Sequence, residues 1–367
     1  MGARAAIMRV LFVSKPVMPP WNDGSKNLVR DVASHVTRIL PTVMVAPGAP
    51  SLGPRVTREP VYGLAGRFAP GANTLVMNRL LFGPPLDAWQ FVFAPNVASS
   101  SAARVAIAAQ RARGWKGQVV QVVASRPKDF GSVRSLLFGD RIVVMSEWTK
   151  ERMVESGVAA DRMVVIPPCA ESPAPKSHDE VSAFRAAHGL GDGPIVLYPG
   201  DLEFSTGALT FARAAGEILR RVPGARIVFA CRPKTARAAG VEVELRAALE
   251  PVAEWVTVLG EVPDMPLVLA AADVVVFPVD DLYGKVDLPI VLLEALALRK
   301  HVVVADGGPL PELGAVTVVP PREPQALADA VERLLDEDVQ AHADGIRSAW
   351  HERFRPEVVA AAYDALY

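Results

Sequence analysis

The sequence predicts two α/β domains, each built on a doubly wound parallel β-sheet. Three observations support this fold class: short apolar runs recur without polar alternation, helical patterns lie between them, and a proline-rich polar stretch interrupts the rhythm near the middle of the chain. Runs without alternation are typical of strands buried on both faces, and their alternation with helices indicates βαβ units. The 367 residues, half of them hydrophobic, suffice for two separate cores.

The first half contains six strand-like runs, at residues 10–13, 43–46, 91–94, 119–123, 142–145 and 164–166. Helical patterns cover 27–39 and 102–113, whereas 49–87 shows little regular pattern and is expected to form a long, mobile loop. Met8 directly precedes the first run, so residues 1–7 are interpreted as an extended start. We therefore place the first domain at residues 8–168.

The predicted linker is 169–193, where PPCAESPAPKSHDE and the Gly-Asp-Gly-Pro turn signal at 191–194 break the pattern. After it, strand-like runs return at 195–198, 226–230, 255–258, 274–277, 302–305 and 316–319, with helical patterns at 207–221 and 292–298. The second domain is placed at 194–350. The final segment, 351–367, ends in an amphipathic helix whose Val359, Tyr363 and Leu366 are expected to pack back on the first domain.

Composition excludes several classes of function. The net charge of -1 gives no chain-wide field for binding nucleic acid. Cys169 and Cys231 lack the spacing of a zinc site or a disulfide framework. The apolar run after the N-terminus is too short for a signal peptide, and no run is long enough to cross a membrane. The expectation is therefore a cytoplasmic protein with no transmembrane segment.

The loop after the first strand leads directly into a helix. Gly24, Ser25 and Lys26 lie where helix-end amides can hold a phosphate or a sugar hydroxyl. The alternative is an ordinary turn in which Asp23 or Ser25 caps the helix. No GxGxxG or GxxxxGK[ST] motif is present, which removes the main support for a dinucleotide or P-loop enzyme.

Four segments carry a family resemblance. MRVLFVS with PPWNDGSKNLVRDVA, the segment VMSEWTKERMVESG with VVIPP, LYPGDL, and LPIVLLEALA with GGPLPE together resemble family 4 glycosyltransferases of the GT-B fold. The resemblance spans nearly the whole chain. It implies two Rossmann-like domains facing across a cleft, with a nucleotide-sugar donor bound by the second domain.

The last of these segments resembles the family's donor site. Leu288, Pro289 and Ile290 open a helix whose amide dipole can face a pyrophosphate. Glu294, one turn later, corresponds to the family's residue that accepts hydrogen bonds from ribose hydroxyls. An acidic residue in an early helical turn can also be a simple dipole partner.

Two departures from the family pattern stand out. The family pairs two glutamates with seven residues between them, but counting back from Glu294 reaches Val286, with Asp287 one place away. The family also places an arginine and a lysine after the glycine that corresponds to Gly200, whereas this loop carries Asp201 and Glu203 and no base.

Other cations can replace the missing pair: Lys26, Lys285, Arg232 or Lys234, each of which is equally an ordinary surface cation. On the acceptor side, polar residues follow predicted strands and can alternatively form turns or solvated charges. They are Asn96, Ser125, Arg126 and Lys128. The irregular stretch 49–87 is the candidate acceptor loop.

The sequence therefore predicts a glycosyltransferase that moves a sugar from a nucleoside diphosphate sugar to a hydroxyl acceptor, with retention and without a metal or cofactor. The acceptor class stays open among carbohydrates, lipid-linked molecules and small molecules, with peripheral membrane contact as an option. No histidine is assigned as a base. Two alternatives remain: a non-catalytic binding subunit with the same fold, and an enzyme resembling a sugar-nucleotide epimerase.

Overall fold

The computed structural model describes residues 7–21, 23–63, 70–127, 129–336 and 339–367. The chain forms two compact units. Unit 1 comprises residues 1–170 together with Tyr283–Asp287 and Phe354–Tyr367, and unit 2 comprises Glu171–Leu282 and Leu288–Arg353. Each unit contains one entirely parallel sheet, so the α/β fold class predicted from the sequence is confirmed.

The sheet of unit 1 has seven strands in the order β3-β2-β1-β4-β5-β6-β7. They are β1 (Met8–Ser14), β2 (Ile39–Val45), β3 (Thr57–Pro60), β4 (Ala88–Phe93), β5 (Gln118–Val123), β6 (Arg141–Val144) and β7 (Met163–Val165). Val10 and Phe12 of β1 belong to one apolar cluster, and Leu11 and Val13 to another. Because alternate side chains point to opposite faces, β1 is buried on both.

The helices of unit 1 are α1 (Gly24–His35), α2 (Pro70–Phe82), α3 (Val97–Ala112), α4 (Glu147–Glu155) and α12 (Pro356–Asp364). The C-terminal α12 packs against α1, and its Val359 and Tyr363 are buried in the cluster that contains Val10 and Phe12. The Asp364 carboxylate accepts hydrogen bonds from the backbone N–H groups of Thr37 and Arg38, at 2.7 and 3.1 Å.

The sheet of unit 2 has six strands in the order β10-β9-β8-β11-β12-β13. They are β8 (Ile195–Tyr198), β9 (Arg226–Phe229), β10 (Val256–Val258), β11 (Val274–Phe277), β12 (His301–Ala305) and β13 (Thr317–Val319). Its helices are α5 (His178–Ala187), α6 (Gly207–Arg221), α7 (Ala238–Leu249), α8 (Met265–Ala271), α9 (Ile290–Ala297), α10 (Pro324–Asp336) and α11 (Val339–Arg353).

The structure corrects three expectations about single elements. The first helix ends at His35 rather than at residue 39, because Ile39 begins β2. α3 begins at Val97, five residues earlier than expected, because Asn96 caps it. The stretch 49–87 is not a long irregular loop, since it contains β3 and α2. β3 was missed because it is short and polar and lies at the edge of the sheet, with no buried residue to give an apolar signal.

Candidate functional site

The carboxyl edge of the sheet in unit 2 gathers the loops that follow β8, β9, β11 and β12. In an open parallel sheet these loops form the usual ligand-binding edge, at the point where the strand order reverses. The reversal here lies between β8 and β11. The predicted site residues Gly200 and Lys234 lie in the first two of these loops.

The helix α9 has no polar side chain at its N-cap position. Pro289 is its N-cap, with φ -59° and ψ 133°; it makes no side-chain capping hydrogen bond, and the first turn holds no acidic residue. The amides of a first turn lack the usual partner four residues back, and here the Leu292 N–H donates instead to the Pro289 carbonyl at 2.9 Å. Leu288 and Pro289 are buried, and Ile290 and Glu294 are half-buried. This helix end can therefore accept an anion.

The loop that starts at Gly200 is fastened to the loop after β9. Lys234 Nζ donates to Asp201 Oδ2 at 2.9 Å, and its ammonium group lies 5.5 Å from the centre of the Phe204 ring. Glu203 Oε1 accepts from the backbone N–H groups of Lys234 and Thr235 at 2.8 and 2.7 Å. The two acids that replace the family's bases thus bring a lysine to the same loop.

Close packing explains why a glycine occupies position 200. A Cβ atom there would lie 2.7 Å from the ring of Tyr198, which is fully buried and whose hydroxyl donates to the Asp201 carbonyl. Glycine is therefore required by the backbone's approach to that ring.

A buried carboxylate lies at the start of α6. Asp280 Oδ1 accepts from the Thr206 N–H at 3.0 Å, and Asp280 Oδ2 accepts from Arg322 Nε at 2.6 Å. Burial opposes ionisation of Asp280, but the hydrogen bonds from Thr206 and Arg322 outweigh it and lower its pKa. A side chain thus binds the amide at the start of α6, whereas the N-cap of α9 is a proline.

In unit 1, the helix end predicted to hold a phosphate is capped by Asp23. Its carboxylate accepts from the N–H groups of Ser25 and Lys26, from the Ser25 hydroxyl, and from Lys15 Nζ at 2.8 Å. Burial raises the pKa of Asp23, but the hydrogen bonds from Lys15 and Ser25 outweigh that effect and lower it to about 2. Lys26 Nζ donates to the carbonyls of Met18 and Pro20. The Gly24 to Lys26 turn is therefore held by its own side chains.

The acceptor-side residues follow β4 and β5. Asn96 caps α3, accepting from the Ser99 N–H at 2.9 Å, and donates to the Ala94 carbonyl. The Arg126 guanidinium lies over the Trp148 ring at 5.6 Å. Ser125 is half-buried beside it. Lys128 lies outside the described residues.

The loop Tyr283–Asp287 belongs to unit 1. The Arg126 N–H donates to the Lys285 carbonyl at 3.1 Å, and Arg126 forms a parallel bridge with Tyr283. Asp287 Oδ2 accepts from the Ser146 hydroxyl at 2.5 Å, and both side chains are buried. Ser146 is also the N-cap of α4. Asp287, which follows the position of the family's first glutamate, thus belongs to unit 1. Its hydrogen bond with Ser146 was not predicted from the sequence.

A cavity of about 260 Å³ opens at the carboxyl ends of β1 and β4, between α2 and α3. Val13, Phe91 and Phe93 of the strands and Met77 and Leu80 of α2 line it. This cavity was not predicted from the sequence, because α2, which forms one of its walls, was not predicted.

A larger cavity of about 490 Å³ lies at the opposite, amino edge of the sheet in unit 2. Its Lys300 Nζ donates to the Ala270 and Ala272 carbonyls, and its Arg185 donates to the Gly191, Gly193 and Ala271 carbonyls. These cations hold loops together and lie away from the ligand-binding edge, so we do not assign the functional site there.

The described ranges contain neither a cluster of metal-binding side chains nor a membrane-spanning helix. No group of three or more His, Cys, Asp or Glu side chains there is placed to hold a metal ion. No helix in those ranges combines the length and apolar character needed to cross a bilayer.

Known proteins resemble this chain in sequence and in fold. Residues 193–337 match the family model of glycosyl transferases group 1. The alpha-D-kanosaminyltransferase of Streptomyces kanamyceticus is 32% identical over 163 residues, which cover 42% of this chain and 39% of that protein. The D-inositol 3-phosphate glycosyltransferase of Nocardia farcinica is 31% identical over 240 residues, covering 61% and 51%. The chain thus spans about half the length, or less, of these relatives.

Solved structures show the same fold. The crystal structure of Anabaena HepE in complex with UDP-glucose has a TM-score of 0.75 at 17% identity and covers 98% of this chain and 99% of that one. Sucrose-phosphate synthase from Thermosynechococcus elongatus has a TM-score of 0.71 at 17% identity, with 98% of each chain covered. These findings confirm the fold that the sequence resemblance implied: the chain has the GT-B fold, and residues 193–337 match the model of glycosyl transferases group 1.

Proposed function

We propose that this chain is a glycosyltransferase that moves a sugar from a nucleoside diphosphate sugar, held by unit 2, to a hydroxyl-bearing acceptor, held by unit 1. The observation that carries the proposal is the N-terminus of α9, whose N-cap, Pro289, makes no side-chain hydrogen bond and which lies within the matched family segment. The start of a helix binds phosphate through its amide N–H groups and its dipole.

Glu294 supports the nucleoside end of this donor site. It lies one turn into α9 and is half-buried, so its carboxylate can accept hydrogen bonds from ribose hydroxyls. The first glutamate of the family's pair has no counterpart here: Val286 occupies its position, and Asp287 is bonded to Ser146. The donor sugar would therefore be held without that first glutamate.

Lys234 is the cation we assign to the departing diphosphate. Its ammonium group lies 2.9 Å from the carboxylate of Asp201, a residue of the loop where the family places its two bases. The Lys234 side chain is 34% exposed, so a ligand can reach it. A fixed positive charge at this position stabilises the negative charge that develops on the leaving group. An ammonium group has three N–H donors, so Lys234 can contact the donor while it keeps its hydrogen bond to Asp201.

The finer features of the reaction are also proposals. Retention follows from the family resemblance, and Lys234 and the α9 amides supply the positive charge that a metal ion provides in other transferases. The nucleotide sugar is a substrate, and no resident cofactor is proposed. A cytoplasmic location accords with Cys169 and Cys231, which are buried and are not joined in a disulfide.

The test is turnover with sugar nucleotides, starting with UDP-glucose because the HepE crystal contains it. Isothermal titration should show binding of UDP, and incubation with donor and a panel of alcohols should release UDP. Glu294→Gln should weaken UDP and uridine alike, whereas Glu357→Gln, at an exposed position of α12, should change neither. A chain that binds no nucleoside diphosphate would refute the proposal, and release of UDP that needs no acceptor and continues unchanged with one would refute transfer.

A further inference from the structure

The walls of the cavity in unit 1 are mostly apolar, although a glycosyl acceptor carries a hydroxyl group. Phe91 and Phe93 project from β4, while Met77 and Leu80 of α2 and Ala102 of α3 close the sides. The Phe91 ring packs edge-on against Phe93 and Phe138, with centroids 6.0 and 5.1 Å away, which fixes its orientation. The interior is therefore an ordered apolar surface.

Most polar groups near the cavity already have partners. The Tyr62 hydroxyl donates to the Ser14 carbonyl, and burial raises its pKa, so it stays a neutral donor. The Ser14 hydroxyl donates to the Lys15 carbonyl at 2.8 Å, and Lys15 Nζ is paired with Asp23. Asn73 and Ser99 are the remaining polar side chains of the described lining. A sugar ring buried here would leave several hydroxyls without partners, which is unfavourable.

The volume sets the size of the occupant. An apolar cavity of roughly 150 Å³ accommodates one benzene ring. The 260 Å³ of this cavity therefore suits one or two fused rings. Its position, at the carboxyl ends of β1 and β4 where the strand order of unit 1 reverses, is where open α/β sheets bind ligands.

We propose that this cavity holds the acceptor and that the acceptor is an alcohol or phenol borne on one or two fused apolar rings. The assignment of an acceptor rests on the proposed transferase function. The rings lie between Phe91, Phe93 and Met77, and the hydroxyl lies toward Ser14 and Ser99, at the polar side of the cavity.

The probe is 2-naphthol, with methyl α-D-glucopyranoside as the carbohydrate comparison, titrated into the full chain by ligand-observed NMR and calorimetry. Ala102→Phe fills the cavity from α3. Ala108→Phe puts the same ring on an exposed position of that helix as a matched control. We expect saturable binding of 2-naphthol, about tenfold or more weaker in Ala102→Phe and unchanged in Ala108→Phe. The glucoside should not bind.

UDP is titrated into the same samples to separate the two proposals. UDP affinity within about twofold of wild type in Ala102→Phe shows that unit 2 is intact, and an unchanged near-UV circular dichroism spectrum shows that unit 1 keeps its packing. Three results with UDP still bound would overturn the acceptor assignment and leave the donor site standing: no binding of 2-naphthol, equal binding of 2-naphthol to wild type and Ala102→Phe, or displacement of 2-naphthol by the glucoside. If the wild-type chain fails to bind UDP, the transferase function fails, and the acceptor role fails with it.

Discussion

Lys234 Nζ lies 2.9 Å from Asp201 Oδ2, so a lysine of the loop after β9 forms an ion pair with the loop after β8. The Asp201 side chain is only 9% exposed, and Glu203 binds the backbone of the same lysine. Removing only one partner of a buried ion pair lowers the stability of the fold, because the remaining charge keeps its desolvation penalty.

Replacing this lysine should therefore have two separable effects. Lys234→Met should weaken UDP binding about tenfold through the lost charge and should also destabilise the fold, because the Asp201 carboxylate loses its partner. The double variant Asp201→Asn, Lys234→Met should recover much of the stability without recovering the UDP affinity. Calorimetry and thermal unfolding measure the two effects.

Arg237→Met, at an exposed position in the same region, is the charge-matched control and should leave UDP affinity unchanged. Wild-type UDP affinity in the double variant would remove Lys234 from the donor site.

The Ser146 hydroxyl serves α4 and Asp287 together, so its loss should be expensive. Ser146→Ala removes the N-cap bond to the Thr149 N–H and leaves the buried Asp287 carboxylate without this donor. The expected loss is about 2 to 4 kcal/mol of unfolding free energy, the sum of a cap and a buried charged hydrogen bond. Ser177→Ala removes the exposed cap of α5 and should cost only about 1 kcal/mol. Equal losses in urea unfolding would show that the contact with Asp287 adds nothing.

Gly200 should not tolerate alanine. Its Cβ would meet the buried Tyr198 ring at 2.7 Å, and overpacking of this kind costs about 1 to 3 kcal/mol. Gly240→Ala is the matched control: no atom lies within 4 Å of its Cβ, and its place in α7 predicts a gain of up to about 1 kcal/mol. Thermal unfolding of the two variants should shift in opposite directions, and a neutral Gly200→Ala would contradict the packing argument.

The Asp23 cap predicts an acid-sensitive part of the stability of unit 1. Since its folded pKa, about 2, is below its ordinary value of 3.8, its contribution is complete above pH 3.8 and is lost as the pH falls toward 2. That contribution is at most about 2 kcal/mol, because the side chain is 31% exposed.

Asp23→Asn keeps a capping oxygen but loses the charge. Urea unfolding of wild type and variant should therefore differ at pH 6 and converge toward pH 2.5. A constant difference between the two would show that ionisation of Asp23 does not contribute.

The fold was predictable because both sheets are buried on two faces, which gives continuous apolar runs such as 119–123 and 274–277. What the runs could not predict were elements with a weak apolar signal. β3 has no buried residue, and α2 follows a stretch rich in glycine and proline. The cavity built by α2 was consequently invisible to sequence reasoning.

The start of α9 was predictable from a proline and the helical pattern that follows it, and the binding roles of its residues stay predictions. Side-chain partners were less accessible: Asp201 meets Lys234 across 33 positions of sequence, and Ser146 meets Asp287 across 141. Neither pairing has a local pattern, although Lys234 was among the cations predicted as replacements for the family's two bases.

The central claim is that the first-turn amides of α9 bind the donor's diphosphate, and Ile290→Pro tests it most directly. Proline at the first helical position removes one N–H while preserving the helix, and the extended Pro289 before it is compatible with that change. By calorimetry, the variant should bind UDP about tenfold or more weaker than Ile290→Val, the matched control, with uridine affinity unchanged. Equal UDP affinity in the two variants would contradict the account.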